Sequence, residues 1–186
     1  MFNNMLAVLG RLITVLELVA YVALVALSYH SFKMLYFAGK SIIQTRSDTL
    51  LHSCFIVAVC VTIFPISSDI VRDYILALDM EKMALRQLFY LSMFVMECGF
   101  MLTLVAFHWI GGFALSPLAR LNLVLSVLIC SVEATQFVAR GIYGFDGLMP
   151  FYKTTVLTLH AATLFSTSAY PFAHFWRYNR QAQDAS

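Results

Sequence analysis

The stretch Leu118–Ala139, LARLNLVLSVLICSVEATQFVA, decides the fold class. Its 22 residues suffice for a helix across a hydrocarbon core of about 30 Å, which takes about 20 mostly apolar residues. At roughly 100° per residue, Asn122, Ser126, Cys130, Glu133, Gln136 and Arg140 fall within about one third of the helix circumference. Leu121, Val124, Leu125, Leu128 and Val132 occupy much of the remainder. A helix surrounded by lipid would not carry such a stripe, so the pattern predicts a membrane helix whose polar face meets protein or water. Ser116 and Pro117 suit its start, as a capping hydroxyl followed by a first-turn proline.

Four more stretches read the same way, at about 12–32, 50–68, 88–110 and 149–172. The composition agrees. Of 186 residues, 61% are hydrophobic and 12% charged, against about 25% charged in soluble chains. That excludes a soluble globule, for which too little polar surface remains, and a disordered chain, which needs charge to stay solvated. A net charge of +2 speaks against direct nucleic-acid binding, which needs a strongly basic surface. The expected fold is an all-α integral membrane bundle of about five spans with short connections. Residues 1–175 form one domain, and 176–186 form a short polar tail. Lys33–Thr49 and Asp69–Gln87 mix charged and apolar residues and read as helix extensions or interfacial helices. Pro65 and Pro171 are expected to kink their helices near the ends.

The apolar run at the N-terminus is too long for a secretory signal and contains Glu17, so it is expected to remain as the first span. Five spans place six Lys and Arg on each side, and the positive-inside rule then gives no answer for the whole chain. The first span breaks the tie, because Lys33, Lys40 and Arg46 follow it whereas Arg11 alone precedes it. The expectation is an outer N-terminus and a cytoplasmic C-terminus.

Within spans the polar residues are the informative ones, since an unpaired charge at the bilayer centre costs at least ~2.5–3.5 kcal/mol. Glu17, Glu97 and Glu133 qualify, and all three could converge on one cluster beside Asn122, Ser126, Gln136 and Arg140. Arg140, about two turns from Glu133, could offset its charge through an intermediate group. In the fifth span Thr158, Ala162 and Ser166 form a small-xxx-small face for helix packing. His160, Thr163, Thr167, Tyr170 and His174 share another face. The bland reading of every such stripe is interhelical glue, with serines and threonines bonded back to their own helix.

His30, His52, His108, His160 and His174 permit a proton relay or bis-histidine haem b ligation, although no spacing selects a pair and no CxxCH motif occurs. Otherwise no cofactor and no metal site are expected. Cys54, Cys60, Cys98 and Cys130 all lie inside spans with no CxxC pair, where free thiols behave as small hydrophobes. There is no arginine ladder, TVGYG-like filter, HExxH or Walker sequence, and enzymatic activity is not expected.

Two function classes survive. In the first, the chain is a membrane-embedded scaffold or sensor subunit that self-associates, binds other membrane subunits and recruits a cytosolic partner protein. In the second, it is an oligomeric channel or proton/cation-coupled transporter that uses the intramembrane glutamates. A b-type haem electron-transfer subunit is a lesser alternative.

Overall fold

The computed structural model describes residues 8–23, 25, 46–112 and 114–184; for 46–49, 51, 170–172 and 174–184 it describes the backbone alone. Every regular element among them is helical. Helix α1 covers 8–23. It is followed by α2 (Arg46–Leu76), α3 (Lys82–Gly111), α4 (Pro117–Gln136) and α5 (Met149–Asp184), and α4 runs on into a π-helical turn over Phe137–Ile142. Among the described residues, three stretches are long and apolar enough to cross a membrane: His52–Leu76, Lys82–Gly111 and Pro117–Ile142.

The boundaries follow from local chemistry. Helix α2 does not stop at Ser68, because Arg72 reaches back one turn to Asp69 and across to Asp73, and the helix continues to Leu76. Residues 69–76 are therefore a helix extension rather than a separate interfacial helix. Pro65 consequently lies well inside α2 and not near its end. Glu81 starts α3 six residues earlier than the hydropathy suggests. Its carboxylate accepts from the Met83 and Ala84 backbone N–H groups at 2.9 and 3.0 Å, and those two bonds hold its pKa below the usual carboxylate range. Gly112 closes α3 in the left-handed conformation, φ 67°. Ser116 caps α4 by accepting from the Ala119 N–H at 3.1 Å, with Pro117 in the first turn.

The fifth helix continues past Pro171 to Asp184, so residues 176–184, expected as a polar tail, are helical in their backbone. Of the first expected span, 12–32, the helix over 8–23 covers the first half, and residues 26–32 lie outside the described residues. Of Lys33–Thr49, the last four residues belong to α2, and residues 33–45 likewise lie outside.

Helix α2 packs against α3, α4 and α5, while α3 and α5 each lie against α4. Cys54, Val57, Cys60 and Val61 of α2 interlock with Phe100 and Leu104 of α3 and with Leu118 and Ala119 of α4. Phe64 meets the Phe100 ring edge-on, with centroids 5.7 Å apart. A Cβ on Gly99 would come within 3.3 Å of the Phe64 ring, so the missing side chain is what lets α2 and α3 approach there.

Along α4 the distribution of polarity is inverted relative to a helix of a water-soluble protein. In α4 the buried side chains include Asn122, Ser126, Glu133 and Gln136, while Leu121, Val124, Val127 and Leu128 are exposed. Helix α3 presents Leu102, Trp109 and Ile110 outward at 71%, 83% and 74% exposure. Contiguous apolar surface of this kind needs a covering.

Candidate functional site

The stripe read along α4 faces the interior of the bundle. It forms a column of polar groups whose partners come from α2, α3 and α5. Counted from Ser116 to Arg140 at 1.5 Å per residue, the column is about 36 Å long.

At one end, Ser53 of α2 is hydrogen bonded to His108 Nε2 and to Ser116 Oγ, each at 2.7 Å. The other ring nitrogen, Nδ1, lies 2.7 Å from the Leu104 carbonyl. A carbonyl only accepts, so Nδ1 carries a proton there, and Nε2 is left to pair with Ser53. Each side chain of this cluster has a hydrogen-bond partner, and all three are buried.

The middle of the column is different. Asn122 donates through Nδ2 to the Leu118 carbonyl at 2.9 Å, but its Oδ1 is buried with no partner among the described residues. Glu97 of α3 faces the Ser126 hydroxyl. One turn further along, Cys98 and Cys130 bring their sulfurs to 3.9 Å. Glu133 lies within electrostatic reach of Glu97, and its Oε2 is buried without a hydrogen-bond partner among the described residues. An unsatisfied buried acceptor is costly, and native proteins keep few of them.

The far end is again well paired. Arg140 Nη1 donates to Tyr90 Oη at 3.0 Å, and its Nε donates to Asp146. Arg86 Nη2 also donates to Asp146, at 3.2 Å. Asp146 is exposed, and the hydrogen bond from Arg140, reinforced by both guanidinium charges, holds its carboxyl below the usual range. Tyr90 stacks edge-on with Tyr152, centroids 5.6 Å apart. Gln136 Nε2 and Arg140 Nη1 both reach the Met149 sulfur, at 3.5 and 3.4 Å.

The π-helical turn belongs to this end. The Tyr143 N–H bonds five residues back to the Val138 carbonyl at 3.2 Å, and Gln87 Nε2 of α3 takes the Gly141 carbonyl at 2.9 Å. Widened turns of this type recur at functional sites.

The three glutamates do not form one cluster as expected. Glu97 and Glu133 come together, whereas Glu17 sits between α1, α2 and α5 beside Thr62 and Thr167, with Asp69 in electrostatic reach. Nor does Arg140 pair with Glu133; it turns to Asp146 and Tyr90, and Tyr152 stands within electrostatic reach of both Glu133 and Arg140. In α5 the inward face carries Thr163 and Thr167. Thr158 is exposed, and Ala162 and Ser166 are half-buried, so the small-residue face stays open within this protomer.

No protein-family model, curated protein or solved structure matches this chain.

His108 has both ring nitrogens engaged in hydrogen bonds, Nδ1 with the Leu104 carbonyl and Nε2 with Ser53. His52 lies within electrostatic reach of His108, and His160 within reach of Asp69. His30 and the side chain of His174 lie outside the described residues. Among the described residues, no three His, Cys, Asp or Glu side chains gather to hold a metal ion.

Sequence reading missed Ser53, Tyr90, Tyr152 and Asp146 as members of the column. Ser53 is an ordinary helix serine by its context, and nothing in the sequence sets Tyr90 and Tyr152 apart from the other aromatics of the spans. The one usable signal was Asp146, an acid six residues after Arg140, between Gly144 and Gly147 in the connection to α5.

Proposed function

We propose that the chain is an integral membrane protein of five spans whose inward α4 face relays protons, acting as an oligomer or within a membrane complex. The first and fifth helices complete the set of spans, with the N-terminus outside and the C-terminus cytoplasmic. Support for a bilayer comes from the inverted polarity, since exposed Leu102, Trp109 and Ile110 suit lipid and not water.

The observation that carries the proton reading is the open middle of the column. A polar face that serves only as interhelical glue satisfies its buried groups. Here Asn122 Oδ1 and Glu133 Oε2 are held ready for a transient partner, with Glu97 beside them. Polar groups one helical turn apart, about 5.4 Å, leave a gap that a single water bridges. A carboxyl that both accepts and returns a proton suits the centre of such a chain, and the column length of about 36 Å is comparable with the hydrocarbon thickness.

The test is proton flux into liposomes carrying the purified protein and an entrapped pH-sensitive dye. Glu133→Gln and Glu97→Gln are each expected to lower the flux at least tenfold with the oligomer intact. Wild-type flux in both variants sinks the reading.

A second reading, a scaffold or sensor subunit that binds a partner protein, is favoured by the outer surface. The most apolar window of α3 is only 17% buried, and Ala134, Thr135, Val138, Ala139, Tyr143 and Phe145 line an open apolar concavity of about 680 Å³. Loss of a stable oligomer on Glu97→Gln and Glu133→Gln, with no flux in the wild type, would favour this reading over the first.

A further inference from the structure

Away from the α4 column, α1, α2 and α5 enclose a void of about 10 Å³ lined by Glu17, Ala20, Tyr21, Ala58, Val61, Thr62, Leu164 and Thr167. That volume is at the threshold for a single water-sized guest. Glu17 is 4% exposed, and its Oε1 has no hydrogen-bond partner among the described residues. Thr62 and Thr167 are also buried.

The direction of the threonine bonds decides what guest fits. Thr62 donates its hydroxyl hydrogen to the Ala58 carbonyl at 2.8 Å, and Thr167 donates to the Thr163 carbonyl. Both protons are thus spent on the helices' own backbones, and each hydroxyl has only oxygen lone pairs left to offer. Glu17 adds a carboxylate oxygen. Tyr21 sets its ring against Phe55, with centroids 5.9 Å apart. The negative charge of Asp69 acts on Glu17 from α2, and His160 of α5 faces the same aspartate. Arg72 is held by Asp69 and Asp73.

We propose that this void is a monovalent cation site, with sodium bound by the Glu17 carboxylate and the Thr62 and Thr167 hydroxyl oxygens. Three acceptors and a void the size of one small guest suit a bare sodium ion, which offers charge and asks for no donor in return. A water molecule would have two lone pairs to satisfy as well as two hydrogens to give. Hard oxygen ligands of this kind select hard cations over soft transition metals. The ion would tie α1 to α2 and α5, where α1 otherwise contributes a mostly exposed apolar helix.

The inference goes beyond the proton reading and does not use Glu97 or Glu133, so the two fail separately. The experiment follows thermal unfolding of the purified full chain in mild detergent, in sodium, potassium or choline chloride at constant ionic strength. A saturable rise in Tm with sodium, smaller with potassium and absent in choline, is expected. Glu17→Gln should remove it, and Thr62→Val and Thr167→Val, which keep the side-chain shape, should each weaken the apparent sodium affinity at least tenfold. Radioactive sodium should bind at one ion per protomer. Equal Tm in all three salts overturns the proposal, as does a sodium effect that survives undiminished in both Glu17→Gln and Thr62→Val. If Glu17→Gln does not fold, the two valine variants decide alone.

Discussion

Two polar clusters lie on the same face of α4 and are built on opposite rules. Around Ser116, Ser53 and His108 every polar group has a partner, at distances of 2.7 Å for each of the contacts. Nearly five turns along the helix, Glu133 is also buried and has an acceptor with no partner among the described residues. Burial alone therefore says little about role. A satisfied cluster stabilises the bundle, because removing any member strands the others. An unsatisfied one lowers stability, and under the proposed proton relay it is retained for what it can exchange.

The comparison can be broken by substitution. The largest effect is expected for His108→Ala, which leaves a cavity and takes from Ser53 its partner on α3. It should cost about 2–4 kcal/mol of unfolding free energy in detergent. Ser53→Ala should cost about 1–2 kcal/mol, and the Ser53→Ala/His108→Ala double variant less than the sum of the two, because they share one network. Additivity in that cycle would dissolve the cluster as a unit.

Glu133→Leu points the other way. It removes an unpartnered acceptor and should leave the fold unchanged in stability or raise it by about 1 kcal/mol; a loss as large as that of His108→Ala would erase the distinction. The smallest effect belongs to Asp146→Asn at the exposed end. Asp146 has its pKa depressed in the folded state, so its contribution is present above the unfolded value and is lost as pH falls through the folded one. Below about pH 4, the fall in Tm with pH should be shallower in Asp146→Asn than in the wild type, with the two differing most near neutral pH.

The sequence carried the helical class and the face of α4, because period and polarity are local properties. Ser116 and Pro117 announced the start of α4 for the same reason. Boundaries set by side-chain bonds were less visible. Glu81 begins α3 and Arg72 extends α2, yet hydropathy weighs both as mere charge. The pairing of glutamates was not legible at all. Which of Glu17 and Glu97 would meet Glu133 depends on how helices are arranged around α4, and three glutamates on three helices leave that open. The same holds for Ser53, whose partner His108 lies 55 residues away, and for Cys98 beside Cys130.

The π-helical turn over Phe137–Ile142 has a consequence for the tolerance of the chain to changes in length. Elsewhere in α4, one inserted or deleted residue rotates everything beyond it by about 100°, which would swing half of the polar column out of the bundle. A π turn already accommodates an additional residue per turn relative to the α-helix, and Gln87 holds the carbonyl it frees. Deletion of Val138, which is exposed, would let this segment tighten to an α-helical turn while Asn122, Ser126 and Glu133 stay in place. Of all positions in the helix, this is where the gene can lose a codon and keep the column aligned.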